Sequence, residues 1–169
     1  MTDKTPEPHA ELPSADDHLR FVDRYLAFLL AQASSRISRE FHRDAEAAGL
    51  SVTEWRVLAS LEGSDGESIG VLSQLTLTKQ PTLSKVVKRM EADGIVARTR
   101  VRSDRRQTVV RITPKGHLLT DALRKRAIDH QDRVLEPFGQ AKAEMLISML
   151  RDLLALHPAS PPADDEPSL

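Results

Sequence analysis

The chain has 169 residues, the length of one domain with tails, and carries 24 Lys+Arg against 25 Asp+Glu for a formal net charge of -1, with 40% hydrophobic residues to build a core. It holds no cysteine, which excludes disulfides, thiolate metal sites, cysteine nucleophiles and thiol-based redox sensing. No apolar run approaches the roughly 18 residues of a membrane span, and Met1-Thr2-Asp3-Lys4-Thr5-Pro6 lacks a signal-peptide pattern, so the expected compartment is the cytoplasm.

Both ends are rich in proline (Pro6, Pro8, Pro13; Pro158, Pro161, Pro162, Pro167) and acidic side chains. Such segments bury too little apolar surface to offset ordering entropy, so residues 1–17 and 157–169 are predicted to be disordered tails. Between them the period is mostly helical. Leu19, Val22, Leu26, Leu29, Ala33, Ile37 and Phe41 recur at steps of three and four, predicting one long amphipathic helix over 17–47 that stops near Gly49. Ser51-Val52-Thr53-Glu54 reads as a capping box opening a second helix with Trp55, Val57, Leu58 and Leu61 on its apolar face. After the polar loop 63–66, Ser68 caps a short third helix through Ile69, Val71, Leu72 and Leu75. Thr78 is expected to cap a fourth, which has Pro81 in its first turn, Leu83, Val86, Val87 and Met90 as its stripe, and Asp93-Gly94 as its stop.

The period then changes. Residues 95–101 and 108–112 are β-prone and flank the polar loop 102–107, predicting a β-hairpin. Thr113-Pro114 pairs a cap with a proline at the first helical position and launches a helix to about Leu135. After Pro137-Phe138-Gly139 a last helix runs to about Leu156. The fold expected is mainly α with a small β-hairpin wing: a helix-turn-helix lobe followed by a hairpin, between helical segments at either end.

The near-zero net charge hides an asymmetry. Residues 76–117 hold eleven Lys/Arg against three Asp/Glu, a net of +8, whereas the remainder holds 13 against 22, a net of −9. A basic stretch that coincides with a helix-turn-helix points to nucleic acid, although a solvated charged face has the same composition. On the fourth helix the apolar stripe leaves Lys79, Gln80, Thr82, Ser84, Lys85 and Lys88 on or near the outer face. Gln pairs with adenine, Ser and Thr reach base edges or phosphates, and Lys binds guanine or phosphate, while an α-helix fits the B-DNA major groove. The hairpin adds Arg98, Arg100 and Arg102 along its strands and Arg105 and Arg106 at its tip, where a guanidinium suits the negative potential of a narrow A·T-rich minor groove. Asp104 is assigned to fixing the loop by accepting hydrogen bonds from its backbone or from a neighbouring arginine.

Taken in order, Gly49-Leu50-Ser51-Val52-Thr53-Glu54-Trp55-Arg56-Val57-Leu58, Leu72-Ser73-Gln74-Leu75, Gln80-Pro81-Thr82-Leu83-Ser84-Lys85, Arg89-Met90-Glu91-Ala92-Asp93-Gly94-Ile95-Val96, Asp104-Arg105-Arg106 and Thr113-Pro114-Lys115-Gly116 closely resemble the MarR family of bacterial winged helix-turn-helix regulators. The resemblance covers residues 21–156. It implies a homodimer in which residues 18–48 and 114–156 form the dimerisation helices and residues 49–113 the winged DNA-binding lobe. Two recognition helices related by a two-fold axis would read a palindrome in double-stranded DNA. Carried over residue by residue, Lys79, Gln80, Pro81, Thr82, Ser84, Lys85 and Lys88 fall on the recognition helix, and Arg100, Arg102, Asp104, Arg105 and Arg106 on the wing, with Arg106 the first choice for minor-groove insertion.

The resemblance further implies a repressor released by a small effector bound between the dimerisation helices and the lobe. Ser34, Ser35, Arg39, His42, Trp55 and Arg56 are the candidate lining, and a carboxylate would suit Arg39 or His42. Trp55 reads first as a core residue of the second helix, and Arg39 and Arg56 also read as salt-bridge partners. The six histidines are scattered without ligand spacing, so neither metal nor cofactor is expected. No phosphate-binding Gly-rich loop, Gly-x-Ser-x-Gly elbow or paired carboxylates point to an enzyme, and a chain ending at Leu169 is not expected to hold a catalytic domain. An activator or a ligand-insensitive architectural DNA-binding protein is the nearest rival.

Overall fold

The structure is a computed structural model that describes residues 20–100 and 108–158. The chain falls into two compact units that divide between Ser38 and Arg39.

In the N-terminal unit a single turn, α1 (Phe21–Arg24), precedes α2 (Leu26–Ala47), which runs on into the second unit. The single uninterrupted helix predicted here is broken at Tyr25, whose backbone is extended at φ -84, ψ 110. Arg20 pairs with Asp23 at 2.9 Å and the Phe21 ring stacks on Tyr25 at 5.1 Å, closing the first turn on itself. The hydrogen-bond ladder restarts when the Leu29 amide donates to the Tyr25 carbonyl. Hydrophobic periodicity carries straight through such a break because it records which face is apolar, not whether the backbone is continuous.

The second unit follows the predicted order: α3 (Val52–Leu61), α4 (Ile69–Leu75), α5 (Gln80–Ala92), β2 (Val96–Arg100), β3 (Thr108–Ile112), α6 (Pro114–Leu135), a 3-10 turn (Glu136–Phe138) and α7 (Gln140–Leu156). A further strand, β1 (Glu67–Ser68), pairs antiparallel with β3, so the hairpin is the larger part of a three-stranded sheet ordered β1-β3-β2. Two residues are too few to show a strand period. Val96 faces Ile112 and Arg100 faces Thr108 across the hairpin. The wing-tip residues Arg102, Asp104, Arg105 and Arg106, like residues 1–17 and 159–169 of the tails, lie outside the described residues.

The starts of three helices follow the predicted chemistry. The Ser51 hydroxyl accepts from the Glu54 amide, Ser68 from Val71, and Thr113 from Gly116. The fourth start differs. Lys79, not Thr78, occupies the cap of α5, and no side chain caps it. The Thr78 hydroxyl instead donates to the Thr76 carbonyl at 3.1 Å. The core of the lobe is Val57, Leu58 and Leu61 of α3, Leu72 of α4, Leu83, Val87 and Met90 of α5, Val96 and Val110 of the sheet, and Leu123 of α6. Gly116 lets α6 approach the hairpin: a β-carbon there would fall on the Ile95 carbonyl oxygen.

Candidate nucleic-acid interface

The recognition-helix candidates are set by the two-sidedness of α5. Leu83, Val87 and Met90 are fully buried, while Lys79, Gln80, Pro81, Thr82, Ser84, Lys85 and Lys88 are all exposed. The helix is therefore anchored by one stripe and offers an amide, two hydroxyls and three ammonium groups on the other. Pro81 sits in the first turn, where a missing N–H costs little.

The structure sorts the cations of the basic stretch into two sets. Arg89 donates from Nε and Nη2 to Glu54 Oε1 at 3.1 and 2.9 Å. Arg98 grips Glu91, with Nη2 at 2.6 Å from Oε2. Arg111 Nε donates to the Asp65 carbonyl at 2.5 Å and Lys115 Nζ to the Asp93 carbonyl at 2.7 Å. These four hold α3 to α5, α5 to β2, and the sheet and α6 to neighbouring loops. The side chains of Lys79, Lys85, Lys88 and Arg100, by contrast, form no hydrogen bond or ion pair among the described residues and stand exposed. Composition could not separate a structural arginine from a free one, because the distinction depends on which carboxylate or carbonyl the fold brings near.

Glu54 is the residue that sequence reading undervalued. Beyond its place in the capping box, its buried carboxylate accepts from the Ser51 amide and hydroxyl, each at 2.7 Å, as well as from Arg89 of α5. Burial alone would raise this carboxyl. The Ser51 hydrogen bonds and then the Arg89 guanidinium outweigh it and hold the group below the ordinary carboxylate range. Glu91 is also held low, first by its hydrogen bond from Arg98.

Of the six candidate effector residues, two lie in the N-terminal unit and four in the second. Ser34 and Ser35 are exposed on α2 in the N-terminal unit. In the second unit Arg39 is exposed, and His42 is half-buried with an Nε2 that finds no hydrogen-bond partner among the described residues. Arg56 Nη1 lies 3.5 Å from the Thr76 carbonyl. Trp55 does two things at once: it packs against Phe41 at 5.4 Å and forms a wall of a cleft of about 210 Å³ between α3 and α6. The other walls are Ala59 and Glu62 of α3 and Thr120, Arg124, Ala127, Ile128 and Gln131 of α6. Their three- and four-residue spacing was a usable signal, but only once α3 and α6 were known to face each other. Near the cleft, Phe41 also meets the His130 ring at 5.8 Å, and His130 Nε2 lies 3.3 Å from Glu40. Among the described residues no group of His, Asp and Glu could hold a metal, and no helix is long and apolar enough to cross a membrane.

Comparison with known proteins agrees with this geometry. A MarR family model matches residues 48–107, the stretch from the start of the lobe to the wing. The HTH-type transcriptional repressor IacR of Pseudomonas putida is 29% identical over 142 residues, covering 84% of each chain. Among solved structures, the MarR family transcriptional regulator SPO1453 of Silicibacter pomeroyi DSS-3 superposes with a TM-score of 0.71 at 37% identity, over 81% of this chain and 98% of that one. The transcriptional repressor CouR, solved bound to a 23-mer DNA duplex, superposes with a TM-score of 0.68 at 25% identity, over 85% and 99%. A free cationic helix face on a winged lobe, with relatives at these levels over most of the chain, identifies a DNA-binding transcription regulator rather than an enzyme, and the chain belongs to the MarR family.

Proposed function

We propose that the protein acts in the cytoplasm as a homodimeric repressor that reads a palindromic operator and releases it on binding a small effector. The observation that carries this reading is the exposed face of α5, where Lys79, Gln80, Pro81, Thr82, Ser84, Lys85 and Lys88 all stand opposite a fully buried stripe. The wing residues Arg100, Arg102, Asp104, Arg105 and Arg106 supply the second contact, with Arg106 entering the minor groove. A dimer is supported by apolar side chains left in the open: Phe21, Tyr25, Leu26 and Leu29 in the N-terminal unit, and Met145, Met149, Leu154 and Leu156 along α7, none of whose seventeen residues is buried. Unpartnered apolar faces of this extent call for a second chain. Residues 18–48 and 114–156 then serve dimerisation, and 49–113 serve DNA binding.

The effector reading rests on the α3–α6 cleft. It combines an indole wall, the apolar Ala59, Ala127 and Ile128, and the Arg124 guanidinium, a lining suited to a one-ring aromatic carboxylate. Ser34, Ser35, Arg39, His42 and Arg56 join Trp55 as the wider candidate set.

Selection of bound sequences from random duplex DNA, repeated with a panel of aromatic carboxylates, tests the proposal. The expected result is a palindromic consensus with half-sites about one DNA turn apart, lost in the presence of one compound. Salt-sensitive binding without enrichment would replace it with an architectural protein, and enrichment that survives every compound would remove the effector.

A further inference from the structure

The turn between α4 and α5 contains an oddity that packing does not explain. The Leu77 amide donates to the Gln74 carbonyl at 3.2 Å and the Thr78 amide to the Ser73 carbonyl at 3.0 Å, the paired closure that ends a helix with one left-handed residue. That residue is Leu77, at φ 53, the one positive-φ residue other than glycine among those described. Glycine is favoured in this conformation because a β-carbon crowds the following carbonyl oxygen, and asparagine because its short polar side chain can hydrogen-bond locally. A leucine held there should be compensated by burial, yet Leu77 is 86% exposed, more than any other large apolar side chain described. The fold thus bears the strain of a leucine and gains no core from it, the pattern of a residue kept for contact with something outside the chain.

Its place in the sequence says what that something is. Leu77 lies two residues before Lys79 and three before Gln80, at the entry to the exposed, cation-bearing face of α5. The ammonium groups of Lys79, Lys85 and Lys88 are each free of partners among the described residues. A partner drawn to that face is a polyanion, and the N-terminal end of a helix laid in the major groove is the part that reaches the base edges. We propose that Leu77 makes an apolar contact with the DNA itself, against a thymine C5-methyl or the adjoining deoxyribose, and so contributes to operator choice at a position no polar side chain reads. This rests on the reading of α5 as the recognition helix.

The test uses the full-length protein with Leu77→Gly and Leu77→Asn, both of which suit the left-handed backbone. Each variant should melt no lower than the wild type yet bind the selected operator about thirtyfold more weakly or worse, the order of two lost base contacts, one in each half-site. Replacing single thymines by deoxyuridine removes only the methyl. One position per half-site that weakens the wild type and not Leu77→Gly assigns the contact to the base, whereas weaker variant binding with no such position assigns it to the sugar. Unchanged affinity in both variants overturns the proposal while leaving the recognition helix in place. Failure of the wild type to bind duplex DNA, or of Lys88→Ala to alter its salt dependence, would instead overturn the reading of α5.

Discussion

Replacing Glu54 by glutamine keeps the side chain's shape and removes its charge at a site where four donor atoms converge: the Ser51 amide and hydroxyl on Oε2, and Nε and Nη2 of Arg89 on Oε1. The magnitude divides by exposure. The capping-box half is buried, and losing a helix cap costs about 1 kcal/mol. The Arg89 side chain is 59% exposed and regains water when its partner is neutral, so its half contributes less than about 1 kcal/mol. The expected loss at neutral pH is therefore about 1–2 kcal/mol, or roughly 2–8 °C in Tm for a chain of this size. The pH dependence is the sharper test. A carboxyl held low in the folded state contributes stability that is complete above its unfolded pKa of about 4.3 and is lost as pH falls through its lower folded value. Glutamine does not titrate. The gap between wild type and Glu54→Gln should stay constant from pH 7 to about pH 5, then narrow and close in more acid solution. Thermal melts by circular dichroism at one fixed protein concentration measure it. A gap that persists unchanged at pH 3, or its absence at pH 7, would refute the role given to the carboxylate.

Gly116→Ala should destabilise the lobe by about 2 kcal/mol or more despite alanine's better helix propensity, because the new methyl displaces the Ile95 carbonyl that also accepts from Thr113; chemical denaturation measures it, and a neutral result would mean that α6 can move away from the hairpin. Lys88→Ala should lower the salt-dependence slope of DNA binding by about 0.9 per lost phosphate contact and leave base preference unchanged in titrations from low to high salt, whereas an altered consensus would make Lys88 a base reader. Met149→Asp combined with Leu154→Asp replaces two side chains 62% and 71% exposed in the protomer, so the fold should hold while sedimentation shows a shift to monomer; an unaffected dimer would move the interface off this face of α7.

What was legible in the sequence depended on range. The two-sidedness of α5 was visible because Leu83, Val87 and Met90 fall within three helical turns, and a helix with one buried stripe exposes the residues opposite. The starts at Ser51, Ser68 and Thr113 were visible for the same reason: a cap is satisfied within three residues. Local signals failed where two local solutions compete, as at Tyr25, where an aromatic stack interrupts a continuous apolar pattern, and at Thr78, whose hydroxyl took the Thr76 carbonyl instead of capping.

The family resemblance, carried by motifs spread from Gly49 to Gly116, reached further than any single period, because the spacing of several weak motifs is itself specific. Only the tertiary structure decided the rest. Whether an arginine is free for DNA or spent on the fold rests on pairings such as Arg89 with Glu54, 35 residues apart, or Arg111 with Asp65, 46 apart. The α3–α6 cleft likewise exists because two helices far apart in the chain pack around Trp55 and Ala127. A sequence records what each residue offers to its neighbours along the chain; which distant group accepts the offer follows from how the core closes.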